Sequence, residues 1–517
     1  MYQLNLLLPK AYEISTKSTV KSATRKVPNL PLLQWDTFLN DALVASSSIN
    51  NTDPKFYIPE IFRLSVSSED TTVDQFLRTM NEINNQRLRQ LPKPERWAKR
   101  DQCCVTLGEP DAIRFRADNK EKLEDRNDTE IVAVVEVKPE QLMVTLIAGT
   151  EITDSGQVKL TDERDDLIVL YSSAVEVIDD QTDNYTKHEK IKRIIRQVFG
   201  YMVINKLRYG MITTYARTWF LKCDDANNLY ISPMIPIDQQ HTESQASFLE
   251  CMHYFEDISG NNPTIDSSQS PLMTTDDDDD SDTSDQPSDN DKNDYYKPSK
   301  RQKTIESKYT STWNTQKINT RGAKKANMEK FNCKSNDELL VNMKNYDYEL
   351  FYFGKMLGFG RSGNVIEARL FEKSGALKMI GLYKDDVKLE EMLNEIKIYD
   401  IILKRIQGIY IPRLLEFGVL HEAFVFILTS FAGESFASKR RKITEVEKQL
   451  AINSLLAIHA LDVKHGDIRL ENIMVSRNSL TGHSCVWWVD FAWSKITDNA
   501  EVLKMELSEL KHLLGTC

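Results

Sequence analysis

Residues 465–474 read His-Gly-Asp-Ile-Arg-Leu-Glu-Asn-Ile-Met, and Asp490-Phe491-Ala492 follows them along the chain. Asp467 and Asn472 stand five residues apart, and Asp490 comes 23 residues after Asp467. Carboxylate and amide oxygens can bind a divalent cation, and a carboxylate can also accept the proton of an attacking hydroxyl group. This segment can therefore hold a divalent cation, and it decides the interpretation of the second half of the chain.

A glycine-rich segment, Gly358-Phe-Gly360-Arg-Ser-Gly363-Asn-Val365, precedes this loop. Glycines in such a turn allow backbone N–H groups to approach phosphates closely. Lys378 follows on a predicted strand, where its ammonium group could reach the same phosphates. The next segment predicts an amphipathic helix whose Glu395 could pair with Lys378, with Glu391 as the alternative partner.

These motifs, in this order and spacing, resemble those of the eukaryotic-type protein kinase superfamily over Tyr352 to Cys517. The resemblance implies a bilobal α+β domain that binds ATP and Mg²⁺. It also implies the roles of the site residues: Gly358, Gly360, Gly363 and Val365 in the nucleotide loop, Lys378 as the phosphate-binding lysine, Glu395 as its partner, Asp467 as the catalytic base, Arg469 near the γ-phosphate, and Asn472 and Asp490 as Mg²⁺ ligands.

Three departures from the kinase pattern bear on the substrate. Gly466 replaces an arginine that would pair with a phosphorylated activation loop, and Ala492 replaces the last glycine of Asp-Phe-Gly. Only 27 residues follow Asp490, which leaves room for about one terminal helix, over Ala500 to Leu514. Such a short C-lobe is also typical of compact atypical kinases and small-molecule phosphotransferases. The phosphoacceptor is therefore a protein or a small molecule, and a pseudokinase is the alternative.

A second group of charged residues lies in the first half. Glu136 and Lys138 are two apart on a predicted buried strand, Ile131 to Val137, so their side chains leave the same face of the sheet. Asp111 follows a Gly-Glu-Pro turn, where a neighbouring strand could bring it beside them. Two carboxylates and an ammonium group in this arrangement can hold a divalent metal and stabilise the charge of a phosphate. A charged pair at a strand end is the other interpretation.

Gln197 and Tyr201 share one face of a predicted helix that includes Ile191 to Val203. Together with Gly108-x-x-Asp111 and Glu136-x-Lys138, they resemble the ordered motifs of PD-(D/E)XK nucleases similar to the RecB exonuclease domain. The resemblance implies an α/β/α sheet domain. It makes Asp111 and Glu136 ligands of Mg²⁺ or Mn²⁺ and Lys138 the catalytic lysine, with Gln197 and Tyr201 supporting the site. Glu82, on the opening helix, is a further candidate ligand. A nuclease and a silent platform that binds nucleic acid or protein both remain open.

Further elements of the first half follow from local patterns. A helix is predicted at about Val73 to Gln90, and strands at Cys103 to Leu107 and Asp111 to Phe115. Met211 to Leu221 and Leu229 to Ser232 are predicted to form a hairpin.

Composition divides the chain of 517 residues into four parts. We expect an N-terminal extension at 1–70, a PD-(D/E)XK-like domain at 71–258, a disordered acidic linker at 259–327 and a protein-kinase-like domain at 328–517. The linker contains five consecutive aspartates and no hydrophobic period, so it cannot bury enough apolar surface to offset its chain entropy. Its basic cluster at 297–303 is either a nuclear-import signal or a solvated charge run.

The whole-chain properties exclude several classes of protein. A hydrophobic share of 41% excludes wholesale disorder, and a net charge of −11 argues against a generic basic nucleic-acid coat. Seven scattered cysteines form no disulfide framework and no zinc motif, and no apolar run reaches membrane-spanning length. The expectation is a soluble intracellular protein without a membrane partner.

The combination of a PD-(D/E)XK-like module with a short kinase resembles the Crinkler-type proteins of fungi and oomycetes. This resemblance implies an effector or intragenomic toxin that acts in nuclei, with DNA as a partner of the first half. Residues 197–220 are similar to the nuclease-like domain of that family. The ubiquitin-like header that often marks these proteins is not apparent in residues 1–60. A protein in which both sites have decayed and only interactions remain is the alternative.

Overall fold

The computed structural model describes residues 12–13, 30–47, 65–66, 68–99, 106–125, 129–152, 158–164, 166–176, 183–265, 335–360, 363–438, 442–477 and 484–516. Over these residues the protein is mixed α and β, as predicted. We call the residues up to 265 the first half and the residues from 335 onward the second half. Within the described ranges, no helix combines the length and the apolar character that crossing a membrane requires.

The first half is built on one mixed sheet that carries helices on both faces. Its elements are, in chain order, β1 (Tyr12–Glu13), β2 (Leu32–Gln34), α1 (Phe38–Ser47), β3 (Ser65–Val66), α2 (Glu69–Leu88), β4 (Glu95–Lys99), β5 (Ala112–Ala117), α3 (Lys120–Asp125), β6 (Thr129–Val137), α4 (Glu140–Ile147), β7 (Ala148–Ile152), β8 (Val158–Arg164), α5 (Leu167–Glu176), α6 (Asp183–Ile204), β9 (Tyr209–Thr213), β10 (Arg217–Cys223), β11 (Leu229–Ile231), β12 (Ile235–Pro236) and α7 (Phe248–Asn261).

The strand order of this sheet is β2-β11-β10-β9-β6-β5-β4, and β12 also pairs with β10. The central strand β6 runs antiparallel to β5 and parallel to β9. Alternate side chains of β6 enter two different cores: Val134 packs with residues of α6, and Val135 packs with residues of α1, α2 and α7. The prediction of a strand buried on both faces is therefore confirmed.

Helices α2 and α6 confirm the two helices predicted in the first half. The predicted hairpin is confirmed in its pairing, because β10 runs antiparallel to β11. Its first strand, predicted over Met211 to Leu221, is in fact two strands, since β9 ends at Thr213 and β10 begins at Arg217. The turn between them contains Tyr215 at φ 70, and this side chain is buried. Because most of the residues of this turn are buried, the apolar pattern of the sequence continues through it, and the end of β9 cannot be recognised from the pattern. Thr106 and Leu107 are not in a strand, and the rest of the strand predicted from Cys103 lies outside the described residues.

Two of the predicted domain boundaries, at residues 70 and 259, differ from those of the structure. Strand β2 joins the edge of the sheet by pairing with β11, and α1 packs against α7, so part of 1–70 belongs to the fold of the first half. Helix α7 runs through 259–261 and Ile265 is buried, so the linker cannot begin at 259. Residues 266–327, with the basic cluster 297–303, lie outside the described residues.

The second half begins with a six-stranded sheet and continues into a more helical part. Its elements are, in chain order, α8 (Asn336–Val341), β13 (Asn345–Tyr346), β14 (Phe351–Gly360), β15 (Gly363–Leu370), β16 (Lys373–Gly381), α9 (Asp386–Lys397), β17 (Leu414–Leu420), β18 (Phe424–Thr429), β19 (Glu434–Ser435), α10 (Glu445–His459), β20 (Val463–Lys464), β21 (Ile473–Arg477), β22 (Ser484–Trp488), β23 (Lys495–Ile496) and α11 (Ala500–Leu514).

The strand order of the six-stranded sheet is β13-β17-β18-β16-β15-β14. Helix α9 lies against β16 and β18, and its buried face includes Leu389, Met392 and Ile396. The same apolar core continues into α10, β21, β22 and α11. The terminal helix predicted over Ala500 to Leu514 has these bounds in the structure.

The two halves pack against each other and share one hydrophobic core. The ring of Tyr201 on α6 lies 5.6 Å from that of Phe424 on β18. A side chain at Gly200 would collide with Ala423, since an added Cβ would lie 2.5 Å from that residue's Cβ. Asn364 donates a hydrogen bond to the carbonyl oxygen of Thr106 at 3.1 Å. The first half therefore meets the second at the sheet that carries Lys378.

Candidate active sites

The glycine-rich segment forms the β14–β15 hairpin of the second half. Gly363 has φ +115, and an added Cβ would lie 2.9 Å from the carbonyl oxygen of Met379, so only glycine fits there. Val365 pairs across the sheet with Lys378. The glycine-rich hairpin and the lysine thus lie on adjacent strands, as the spacing predicted.

Lys378 is the centre of a buried ionic group. Its Nζ donates to Glu395 Oε2 at 2.7 Å and to Asp490 Oδ1 at 2.8 Å. Burial alone would lower the pKa of Lys378, but the two carboxylates outweigh it and raise the pKa. The predicted pairing with Glu395 is therefore present. Glu391 instead accepts a hydrogen bond from Trp493 Nε1 at 2.8 Å.

Asp467 and Asn472 contact each other in the segment between β20 and β21. Asn472 Nδ2 donates to Asp467 Oδ2 at 2.8 Å, and Arg469 Nε lies 3.1 Å from the same carboxylate oxygen. Asn472 is buried. Asp490 adopts φ 65, a left-handed conformation that turns its backbone beside Lys378. The charged and amide side chains predicted for this site thus form two contacting groups: Lys378 with Glu395 and Asp490, and Asp467 with Asn472 and the partly exposed Arg469. A backbone hydrogen bond from Val489 N–H to the carbonyl oxygen of Asn472, at 3.1 Å, joins the segments that carry them.

Glu506, on α11, was not among the predicted site residues. Its carboxylate accepts hydrogen bonds from the backbone N–H groups of His465 at 3.0 Å and Gly466 at 2.7 Å, and from His459 Nε2 at 2.8 Å. Burial alone would raise its pKa, but these donors outweigh it and lower the pKa. Glu506 is therefore a positioning residue for the loop that carries Asp467. Its signal in the sequence is a glutamate in helical register with the buried Leu510 and Leu514.

The backbone conformation explains why a glycine stands at position 466, where the kinase pattern has an arginine. Its φ is +86, and an added Cβ would lie 2.4 Å from the carbonyl oxygen of Trp493. An arginine could not occupy this position without moving the backbone. Glycine is therefore required at position 466 for the backbone conformation of the loop.

The predicted site of the first half lies where β5 and β6 run side by side. Asp111 directly precedes β5, and its Oδ2 accepts a hydrogen bond from the backbone N–H of Val137 at 2.7 Å. Lys138 Nζ donates to Glu136 Oε1 at 2.5 Å. Glu136 is fully buried, and within the described part of the chain its other oxygen, Oε2, has no hydrogen-bond partner. The structure brings Asp111, Glu136 and Lys138 together, as predicted.

Glu69 supplies the third carboxylate, from the first turn of α2. One oxygen each from Glu69, Asp111 and Glu136 lies within 4.8 Å of the others, and Lys138 Nζ is 3.6 Å from Glu69 Oε2. The opening helix therefore contributes an acidic residue, but it is Glu69. The side chain of Glu82 lies outside the described residues.

The electrostatics of this group follow from burial and crowding. Burial and the neighbouring carboxylate of Asp111 raise the pKa of Glu136 to about 8. Burial alone would also raise the pKa of Asp111, but the ammonium groups of Lys384 and Lys138 outweigh it and hold the pKa below its ordinary value. A buried carboxylate with an unpaired oxygen is costly unless a cation or proton neutralises it.

The donor set suits a hard divalent cation. Three carboxylates that converge on one point provide the oxygen ligands that Mg²⁺ and Mn²⁺ prefer, and Glu136 Oε2 accepts no hydrogen bond from the described residues. Glu69, Asp111 and Glu136 would hold such an ion. It would supply charge neutralisation at a phosphate and activation of a water molecule.

Gln197 and Tyr201 border the same site from α6. Gln197 Nε2 donates to the hydroxyl oxygen of Tyr201 at 3.2 Å, and both side chains are buried. The ring of Tyr201 also packs on Gly108, where an added Cβ would lie 2.8 Å from it. Gly108 has φ +80 and leads into the turn that places Asp111. The pair therefore supports the turn as well as the site.

Comparisons of the sequence with models of known protein families and with curated proteins found no match.

Proposed function

We propose that the second half is an ATP-dependent phosphotransferase. The observation that carries this proposal is the ammonium group of Lys378, which joins Glu395 and Asp490 at 2.7 and 2.8 Å beside a glycine-rich hairpin. A lysine held by a helical glutamate is the arrangement that positions nucleotide phosphates in kinases. Asp490 and Asn472 would hold Mg²⁺, which neutralises charge on the phosphates.

Three side chains have separate roles in the proposed phosphate transfer. Lys378 exchanges its contact with Asp490 for a phosphate oxygen and keeps Glu395 as its partner. Asp467 lies within hydrogen-bond distance of Asn472 and accepts the proton of the attacking hydroxyl group. Arg469, whose side chain is 43% exposed, is free to swing from Asp467 toward the transferred phosphate. The acceptor is a protein or a small molecule.

Transfer of labelled γ-phosphate from ATP tests this proposal on the full chain. Asp467→Ala should lower the rate roughly 10²- to 10⁴-fold, because the base is lost. Glu471→Gln is the matched control, since Glu471 is an exposed carboxylate in the same loop and should leave the rate unchanged. Equal transfer by wild type and Asp467→Ala would contradict the proposal.

A second activity, metal-dependent phosphodiester cleavage by the first half, is favoured by the convergence of Glu69, Asp111, Glu136 and Lys138. With Mg²⁺ or Mn²⁺ held by the carboxylates, Lys138 stabilises negative charge at the scissile phosphate. DNA is the proposed substrate. The alternative is a site that grips nucleic acid or protein without cutting.

Nicking of supercoiled DNA by the full chain, in Mg²⁺ and in Mn²⁺, tests the second activity. The full chain is required because the two halves share a core. Lys138→Met should abolish nicking, and Lys99→Met is the control, since Lys99 pairs with Asp74 at 2.7 Å outside the carboxylate group. If wild type leaves both DNA and RNA intact even when Mn²⁺ saturates the site, the first half is a binding platform.

The two sites in one chain support a proposed relationship to Crinkler-type effectors. Under this proposal the protein acts in a nucleus, where its partners would be ATP, a phosphoacceptor and DNA. Localisation of the full chain with and without substitution of the basic residues at 297–303 tests the nuclear part.

A further inference from the structure

A lysine from the second half enters the carboxylate site of the first half. Lys384 lies in the loop between β16 and α9, and its Nζ is 2.6 Å from Asp111 Oδ1. The same nitrogen donates a hydrogen bond to the carbonyl oxygen of Glu109 and lies 3.9 Å from Glu136 Oε2. The side chain of Lys384 is only 16% exposed. One ammonium group therefore stands beside two of the three carboxylates that could bind a metal.

The loop that carries Lys384 is closely packed. Gly381 precedes it, and a Cβ there would lie 3.3 Å from the hydroxyl oxygen of Tyr201. Lys384 Nζ lies 5.9 Å from the centroid of the Tyr201 ring. Asp385, the next residue, caps α9 by accepting hydrogen bonds from two backbone N–H groups of that helix. Lys384 is thus held between the first half and the helix that carries Glu395.

The charges of the group make Lys384 and a divalent ion competitors. With Lys384 in place, three carboxylates face two ammonium groups, those of Lys138 and Lys384; Glu136 is fully buried, whereas the side chain of Glu69 is 36% exposed. A divalent ion beside the Lys384 ammonium group would bring a third cation to these carboxylates, and it would compete with that ammonium group for the oxygens of Asp111 and Glu136. Like charges held this close in a buried site repel strongly. Lys384 and the ion should therefore not occupy the site together.

We infer that Lys384 is a built-in cation that occupies the metal position of the first half, so that a divalent metal binds there only when this lysine withdraws. This inference rests on the metal site of the proposed second activity. Docking of the second half then blocks the first half, and metal binding loosens the contact between the loop at 382–385 and Asp111. While Lys384 contacts Asp111, Glu136 Oε2 is buried and accepts no hydrogen bond from the described residues, so it is the oxygen available to bind the metal.

Binding of Mn²⁺ to the full chain, measured by the loss of the free Mn²⁺ spectrum in electron paramagnetic resonance, tests the inference without any nuclease assay. Lys384→Met should bind Mn²⁺ at least roughly tenfold more tightly than wild type, because the competing charge is gone. Lys388→Met is the matched control. Lys388 lies in the first turn of α9, four residues after Lys384, and pairs with Glu109 at 3.0 Å. No described contact joins Lys388 to Asp111 or Glu136. Its Mn²⁺ affinity should equal that of wild type.

A second measurement uses wild type alone. Acylation of lysine amines, read residue by residue by mass spectrometry, should rise at Lys384 when Mn²⁺ saturates the site, and labelling of Lys388 should rise much less.

Equal or weaker Mn²⁺ binding by Lys384→Met, or unchanged labelling of Lys384 at saturating Mn²⁺, would overturn the inference. Absence of Mn²⁺ binding in both proteins would overturn the metal site as well. Tighter Mn²⁺ binding by Lys384→Met without any DNA or RNA cleavage would support the inference and reject only the proposed nuclease activity.

Discussion

Acidification should weaken the contact between the two halves through one histidine. His421 lies in the turn between β17 and β18, with its ring 5.5 Å from the rings of both Phe199 and Tyr348. Burial, with a smaller contribution from the Arg196 guanidinium, lowers the pKa of His421 to about 4. Asp347 acts in the opposite direction but is outweighed. The folded protein therefore holds His421 neutral at pH 7.

The magnitude follows from the difference between the two states. An unfolded histidine has a pKa near 6.5, so folding lowers it by roughly 2.5 units, which corresponds to about 3 kcal/mol. Because the pKa is depressed, this stability is fully present above pH 6.5. It is lost as the pH falls from 6.5 toward about 4, where the unfolded chain binds the proton and the folded chain does not.

Urea unfolding of the full chain at pH 7 and pH 4.5 measures this effect. Wild type should lose about 2–3 kcal/mol more stability between these pH values than His421→Asn, since asparagine does not titrate and tolerates the positive φ of 50 at this position. His512→Asn, the same substitution at an exposed histidine on α11, is the control for the change of residue type. A difference below about 1 kcal/mol between wild type and His421→Asn would refute the reasoning.

Three further outcomes are expected. Glu506→Ala should leave the backbone N–H groups of His465 and Gly466 without their buried acceptor. In the proposed phosphotransferase it should lower kcat roughly 10²-fold while the KM for ATP changes little; a change in KM alone would contradict a positioning role. Gly466→Arg should lower Tm by several degrees, because its Cβ would lie 2.4 Å from the Trp493 carbonyl oxygen; an unchanged Tm would show that the loop can adapt. Gly200→Leu should separate the halves by collision with Ala423, seen as a larger radius of gyration in X-ray scattering; an unchanged radius would argue against the shared core.

Residues that act within one short segment were predictable from spacing. Asp467 and Asn472 belong to one loop, so their contact depends only on local geometry. Lys378 and Glu395 lie on consecutive elements, a strand and the helix that follows it, and the helical period left just Glu395 and Glu391 to consider. Glu136 and Lys138 share a strand face for the same local reason.

Residues that meet only through the tertiary fold were not predictable from spacing. Glu69 reaches the carboxylate group because α2 packs its first turn over β6, and a helical pattern alone does not specify which end of a helix points at a site. Lys384 meets Asp111 across 273 residues of chain and across two halves. Nothing in the composition of either half indicates that they share a core, because apolar side chains at an interface follow the same periodicity as those inside a domain.

The phosphotransferase site is tested most directly by Mg²⁺-dependent transfer of the γ-phosphate of ATP with Asp490→Asn. The account predicts transfer by wild type and a loss of roughly 10²-fold or more in this variant, because Asp490 is proposed both to hold the metal and to contact Lys378. Glu391→Gln should transfer phosphate as wild type does, since Glu391 accepts a hydrogen bond from Trp493 and no described contact joins it to Lys378. Transfer by Asp490→Asn at the wild-type rate, or none by wild type with any acceptor, would contradict the assignment.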